Sequence, residues 1–156
     1  MNDLRQSLRE HLAELLDGKS AHLDLETVLR EFPPGAINVR LDGAPHTAWE
    51  LLEHLRIAQT DIVEFSVNAA HVSPAFPDGY WNKSEATAED WENSCRRIFA
   101  DLQKMRDLVA DETIDLFAPI PHGSGQTVLR EALLVADHNA YHLGQIALLR
   151  RILEER

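Results

Sequence analysis

The chain has 156 residues, 44% of them hydrophobic and 26% charged, which suits a single soluble domain with a sizeable core. With 15 Lys and Arg against 26 Asp and Glu its formal net charge is −11, a surface that repels phosphate backbones and anionic lipid, so neither nucleic acid nor a membrane is an expected partner. No apolar run approaches the roughly 18 residues of a membrane span, Met1-Asn2-Asp3-Leu4-Arg5 begins no signal peptide, and the single cysteine, Cys95, closes no internal disulfide, so the expected location is the cytoplasm.

Leu4, Leu8, Leu12, Leu15 and Leu16 recur at helical spacing among charged residues, which predicts a helix over residues 3–17, ended by Gly18. Asp24 can cap a second, shorter helical piece through Val28, Leu29 and Phe32, broken by Pro33-Pro34-Gly35. Residues 36–46 read as loop, with a short extended piece expected at Ile37-Asn38-Val39. Thr47-Ala48-Trp49-Glu50 has the capping-box pattern and opens a helix to about Asn68. Its apolar stripe is Leu51, His54, Leu55, Ala58, Ile62 and Phe65.

Residues 69–86 are expected to be loop, because Pro74, Pro77 and Gly79 exclude regular structure. Phe76, Tyr80 and Trp81 in that loop should pack onto something. Thr87-Ala88-Glu89-Asp90 opens a third long helix, with Trp91, Cys95, Ile98, Phe99, Leu102, Met105, Leu108 and Val109 on its apolar face, ending near Ala110. After a loop over 111–126, Thr127 caps a last helix to about Leu153. That helix is apolar nearly all round, through Leu129, Leu133, Leu134, Val135, Ala136, Ala140, Leu143, Ile146, Ala147 and Leu148, as befits a central helix or one in a subunit interface. No strand, internal repeat or low-complexity tract is evident. The expected fold class is all-α, a four-helix bundle in a single domain spanning 1–156.

The chemistry concentrates in Asp137-His138-Asn139-Ala140-Tyr141-His142-Leu143-Gly144-Gln145. His138 and His142, four apart, share a helix face with Cβ atoms about 5–6 Å apart, close enough for two imidazoles to reach one ion. His54 lies on the stripe of another helix, and bundles build metal sites from inward-facing side chains of facing helices. A lone histidine on an apolar face is more often a satisfied core residue than a ligand. Three of them on separately read stripes would each need a buried partner, and one cation serves all three. His11 falls on a polar helix surface, and His22, His46, His71 and His122 fall in loops.

Asn139 stands where a zincin has its glutamate, which disfavours a protease of that kind, and there is no C-x-x-C, phosphate-binding glycine loop or G-x-S-x-G. Cys95 reads as core filler. Tyr80-Trp81 reads first as a packing anchor and second as a lid over a metal pocket. Gly144 costs about 1 kcal/mol of helix propensity, which suggests that it allows a close helix approach.

With Leu51-Leu52-Glu53-His54-Leu55 and the His138-Asn139-Ala140-Tyr141-His142-Leu143-Gly144-Gln145 segment, the chain resembles the DinB/YfiT-like superfamily from about residue 47 to the end. Pro121-His122-Gly123-Ser124-Gly125-Gln126-Thr127 supports the likeness, while residues 19–46 match less clearly. The resemblance implies a four-helix bundle, frequent homodimers, and a divalent metal held by three histidines, carried over to His54, His138 and His142. Some members resemble thiol transferases that use a low-molecular-weight thiol, others isomerise maleylpyruvate with a thiol, and many have no assigned reaction.

The expectation is a metal-dependent enzyme of thiol-transferase or hydrolase type, with a non-catalytic module for metal or a small ligand as the alternative. Zinc or nickel is the expected metal. A small-molecule substrate or thiol is the expected ligand, and a homodimer the expected assembly. Gln145, Asn139, Tyr141 and Trp81 are the expected contacts around the metal ligands or to substrate.

Overall fold

The computed structural model describes residues 2–19 and 21–155. Five helices form: α1 (Asn2–Asp17), α2 (Leu25–Arg30), α3 (Ala48–Val67), α4 (Ala88–Ala110) and α5 (Val128–Glu154). Among the described residues there is no strand, and α1, α3, α4 and α5 pack as a four-helix bundle with α2 as a short side piece.

The helix starts are set by local chemistry. The Asp24 side chain accepts from Thr27 N, and Thr47–Glu50 and Thr87–Asp90 both form complete capping boxes. Thr127 caps α5 through Arg130 N. Gly18, at φ +63°, adopts the left-handed conformation that ends α1.

Two expectations fail here. Ile37-Asn38-Val39 forms no extended piece, because Ile37 is helical in φ and ψ and its carbonyl accepts from Trp49 N, which ties the loop to the start of α3. The loop over 69–86 is not wholly irregular either, because Asp78–Tyr80 forms a single 3₁₀ turn, as Pro34–Ala36 does after the break that ends α2.

The core is two apolar clusters. One joins α2 and the first half of α3 to Trp91 and Ile98 of α4 and Leu143, Ile146 and Leu149 of α5. The other joins α1 and Val63 of α3 to Met105 and Val109 of α4 and Val128, Ala132 and Val135 of α5. The early residues of α3 thus meet the late residues of α5, so these helices run antiparallel. Between the clusters the inward positions are polar. Gln59 is fully buried, donates to Ile98 O at 2.6 Å and accepts from Asn139 Nδ2 at 2.7 Å, and Thr60 donates to Asp101 at 2.6 Å.

The relation between α3 and α4 decides the rest. Their cross-contacts advance together: Glu53 with Ser94, Gln59 with Ile98, Thr60 with Asp101, Glu64 with Lys104. The two helices are therefore parallel. The loop joining them must return the full length of α3, about 30 Å for a helix of its 20 residues. It runs back along the side of α3, touching Asp61 through His71 and Tyr80, then His54 through Tyr80 and Trp81, then Glu53 through Asn82.

Candidate metal centre

His54 faces inward from α3, and His138 and His142 face it from α5. The three imidazoles converge at the polar level between the two apolar clusters. Ring centroids are 4.9 Å apart for His54 and His138, 4.7 Å for His54 and His142, and 4.6 Å for His138 and His142. One nitrogen from each lies within 4.8 Å of the others.

The hydrogen bonds fix the state of His54. Its Nδ1 lies 3.0 Å from Tyr80 O. A carbonyl only accepts, so Nδ1 carries the proton and Nε2 keeps its lone pair. That Nε2 stands 3.1 Å from Nε2 of His138. Two nitrogens bound to one ion at about 2.0–2.1 Å lie about 2.9–3.4 Å apart for ligand angles between 90° and 109°. Nδ1 of His138 and Nδ1 of His142 are buried without a partner. Burial, with the neighbouring imidazoles, holds both rings down at about 4. Burial, offset in part by the Tyr80 carbonyl, also lowers His54. All three are thus neutral at pH 7, the form that binds a metal. The donor set fits a divalent cation on spacing and protonation.

The surrounding residues divide. Trp81 lies flat on His54 and covers one face of that ring, and His46 stacks on the other face of Trp81 with centroids 4.0 Å apart. Gln145 lies beside His142 and opposes its depression. Tyr141 is 67% exposed and touches His142 edge-on, with centroids 4.8 Å apart, so it lies at the rim. Asn139 does not reach the histidines; one position further round α5, it bonds to Gln59 and braces the bundle. Glu53, next to His54 in the chain, is also turned away: Arg56 grips it with two bonds at 2.7 and 3.0 Å, and Ser94 donates at 2.6 Å.

Of the three loop aromatics, Tyr80 and Trp81 pack as expected, but Phe76 is 88% exposed, because the turn around it is held by Tyr80 and Trp81 instead. Cys95 lines a cleft of about 370 Å³ between α2 and α4, none of whose lining residues is one of the three histidines. Burial, with the charge of Glu92, pushes its thiol up to about 12, so it is no nucleophile. Gly144 is exposed and a Cβ there would meet nothing, so among the described residues no other helix approaches it closely.

The sequence reading missed the part played by His46, Asp61 and His71. Asp61 carried a faint signal: it stands seven residues, two turns, from His54 and so shares its side of α3. His46 and His71 carried none, since their partners are set by the path of the loop.

The DinB superfamily model matches residues 3–146. The match includes α1 and α2, so it extends through the stretch 19–46 where the resemblance was weaker. No curated protein and no solved structure matches significantly.

Proposed function

The chain belongs to the DinB superfamily, and on that premise we propose that His54, His138 and His142 hold a divalent metal ion, zinc or nickel, in a metal-dependent enzyme of thiol-transferase or hydrolase type. One observation carries the reading: three neutral imidazoles from two helices converge within 4.8 Å. Three nitrogen ligands leave a metal open positions, and a metal so held acidifies a thiol or a water near neutral pH.

The chain's own residues would do the rest. Tyr80 O keeps the His54 lone pair facing the other ligands, Trp81 keeps water off one face of that ring, and Gln145 and Tyr141 line the rim where a small substrate or low-molecular-weight thiol would enter. A cytoplasmic location suits this reading, given the lone Cys95. No described helix is long and apolar enough to cross a membrane.

The commitment of Glu53 to Arg56 and Ser94 favours a second reading, a non-catalytic module that binds metal or a small ligand, since it leaves the histidines without a neighbouring carboxylate base. Metal analysis of the purified chain and of His142→Ala, followed by assay of both with thiols and electrophilic acceptors, tests the two. One ion per wild-type chain, with turnover lost in the variant, supports the enzyme. Metal without turnover supports the module, and equal turnover in both proteins removes the metal from the chemistry.

We also propose a homodimer through α5. Leu133, Asp137, Ala140, Gly144 and Arg151 share the exposed face of that helix opposite His142, with Tyr141 and Leu148 at its edges. Asp137 and Arg151 stand seven residues to either side of Gly144, and neither makes an ion pair among the described residues. An antiparallel pairing of two α5 helices about Gly144 opposes Asp137 to Arg151 and Ala140 to Leu148, and uses the glycine for close approach.

A further inference from the structure

We propose that Asp61 is a positioning residue of the histidine cluster, which acts by holding Tyr80 and, through the Tyr80 carbonyl, the imidazole of His54. The inference rests on the reading of that cluster as a metal site.

Tyr80 is pinned to α3 at two points. Its carbonyl accepts from His54 Nδ1 at 3.0 Å, and its hydroxyl donates to Asp61 Oδ2 at 2.6 Å. His54 and Asp61 are seven residues apart, two turns of helix, and so lie on one side of α3 about 10 Å apart along the axis. One loop residue bridges that span. The hydroxyl bond is charge-assisted and short, the strong kind.

Asp61 is itself held. Its Oδ1 accepts from His71 Nε2 at 2.7 Å, so the loop is tied to the same carboxylate a second time, nine residues earlier. Burial pushes the Asp61 carboxyl up, but bonds from Tyr80, Ser73 and His71 outweigh it and keep it below the usual range. The carboxylate is therefore ionised whenever the chain is folded near neutral pH. The loop also has little room to take another path: a Cβ at Gly79 would sit 2.9 Å from Cβ of Pro74.

The consequence falls on His54. A metal-binding histidine depends on the acceptor at its other nitrogen for tautomer and ring orientation. Here that acceptor is the main-chain carbonyl of Tyr80, held only by the single 3₁₀ turn Asp78–Tyr80 in the long loop. The Tyr80 side chain supplies the anchor, and Asp61 is what it is anchored to. None of this uses the two apolar clusters, so the anchor can be cut while the bundle stays folded.

The test is an equilibrium titration of the full chain with cobalt(II), followed by its visible absorption bands, in wild type, Asp61→Ala, Asp61→Asn, Tyr80→Phe and His142→Ala, with melting of each protein in chelator. Asp61→Ala and Tyr80→Phe should bind cobalt about 10-fold more weakly, with altered band intensities, and melt near the wild-type temperature in chelator. Asp61→Asn keeps an acceptor for the Tyr80 hydroxyl and should stay within about 2-fold of wild type. Wild-type affinity and spectra in both Asp61→Ala and Tyr80→Phe overturn the role of Asp61 and leave the metal site standing. If Asp61→Ala does not fold, Tyr80→Phe decides alone. Failure of the wild type to bind cobalt, or equal binding by His142→Ala, overturns the metal reading and this inference with it.

Discussion

Trp81 lies on His54 with ring centroids 4.0 Å apart and planes 4° from parallel. The contact joins the middle of the long α3–α4 loop to a histidine in the bundle interior. It makes Trp81 an internal reporter. Trp49 and Trp91 are buried in the apolar cluster around Leu52, and neither stacks on a histidine ring as Trp81 does. Titration with a quenching ion such as copper(II) should therefore dim the tryptophan fluorescence of the wild type, and Trp81→Phe should remove most of that quenching. Undiminished quenching in Trp81→Phe would place the ion elsewhere.

The pH response of the metal-free protein follows from the buried imidazoles. His138 and His142 titrate at about 4 in the folded chain against an ordinary value of 6.5. Between those values the unfolded chain binds more protons, so stability rises with pH through this window and is lost as pH falls from about 6.5 to about 4. In chelator, the wild type should melt progressively lower across that range. A His138→Leu/His142→Leu double variant should show a shallower fall, and the gap between the two proteins isolates the histidines from the carboxylates that also titrate there. Parallel curves would count against the depressed values.

Glu53 is a buried carboxylate held by several donors. It is 5% exposed and takes bonds from Arg56, Ser94 and Asn82. Glu53→Ala leaves a largely buried guanidinium and a buried hydroxyl without their acceptor, which should cost about 3 kcal/mol and lower the melting temperature by about 6–12 °C. A loss below about 0.5 kcal/mol, as for an ordinary surface site, would show that Arg56 reaches water freely.

Assembly is tested by mass. Light scattering at micromolar concentration should give twice the 17.6 kDa chain mass. Leu148→Glu places a charge on a side chain that is 59% exposed on the proposed face, and should halve that mass without loss of bound metal, because the residue lies six positions beyond His142, about 9 Å further along α5. A monomeric wild type, or a dimeric Leu148→Glu, would refute the α5 pairing.

Helix content and helix starts were legible in the sequence because they are local. Thr47 with Glu50, Thr87 with Asp90, Asp24 and Thr127 each satisfy backbone donors within three residues, and the apolar spacing of α1, α3 and α4 needs no knowledge of the partner. The convergence of His54, His138 and His142 was legible for a related reason: an inward face in a bundle is a property of helical phase, and each histidine sat in phase with its stripe. Asn139 follows His138 by one residue, about 100° of rotation on a helix, and that turns its side chain to Gln59.

What only the tertiary structure decided was direction. Nothing in residues 47–110 says whether α4 runs with α3 or against it. It runs with it, as the paired contacts Glu53–Ser94 and Thr60–Asp101 require, and so the 20 residues from Asn68 through Thr87 must travel back along α3. That return path puts Trp81 on His54, Tyr80 between His54 and Asp61, and His71 on Asp61. The sequence by itself determined which three imidazoles meet, through helical periodicity. The packing of α4 parallel to α3 determined what covers and holds them, because loop residues take their neighbours from where the chain must go.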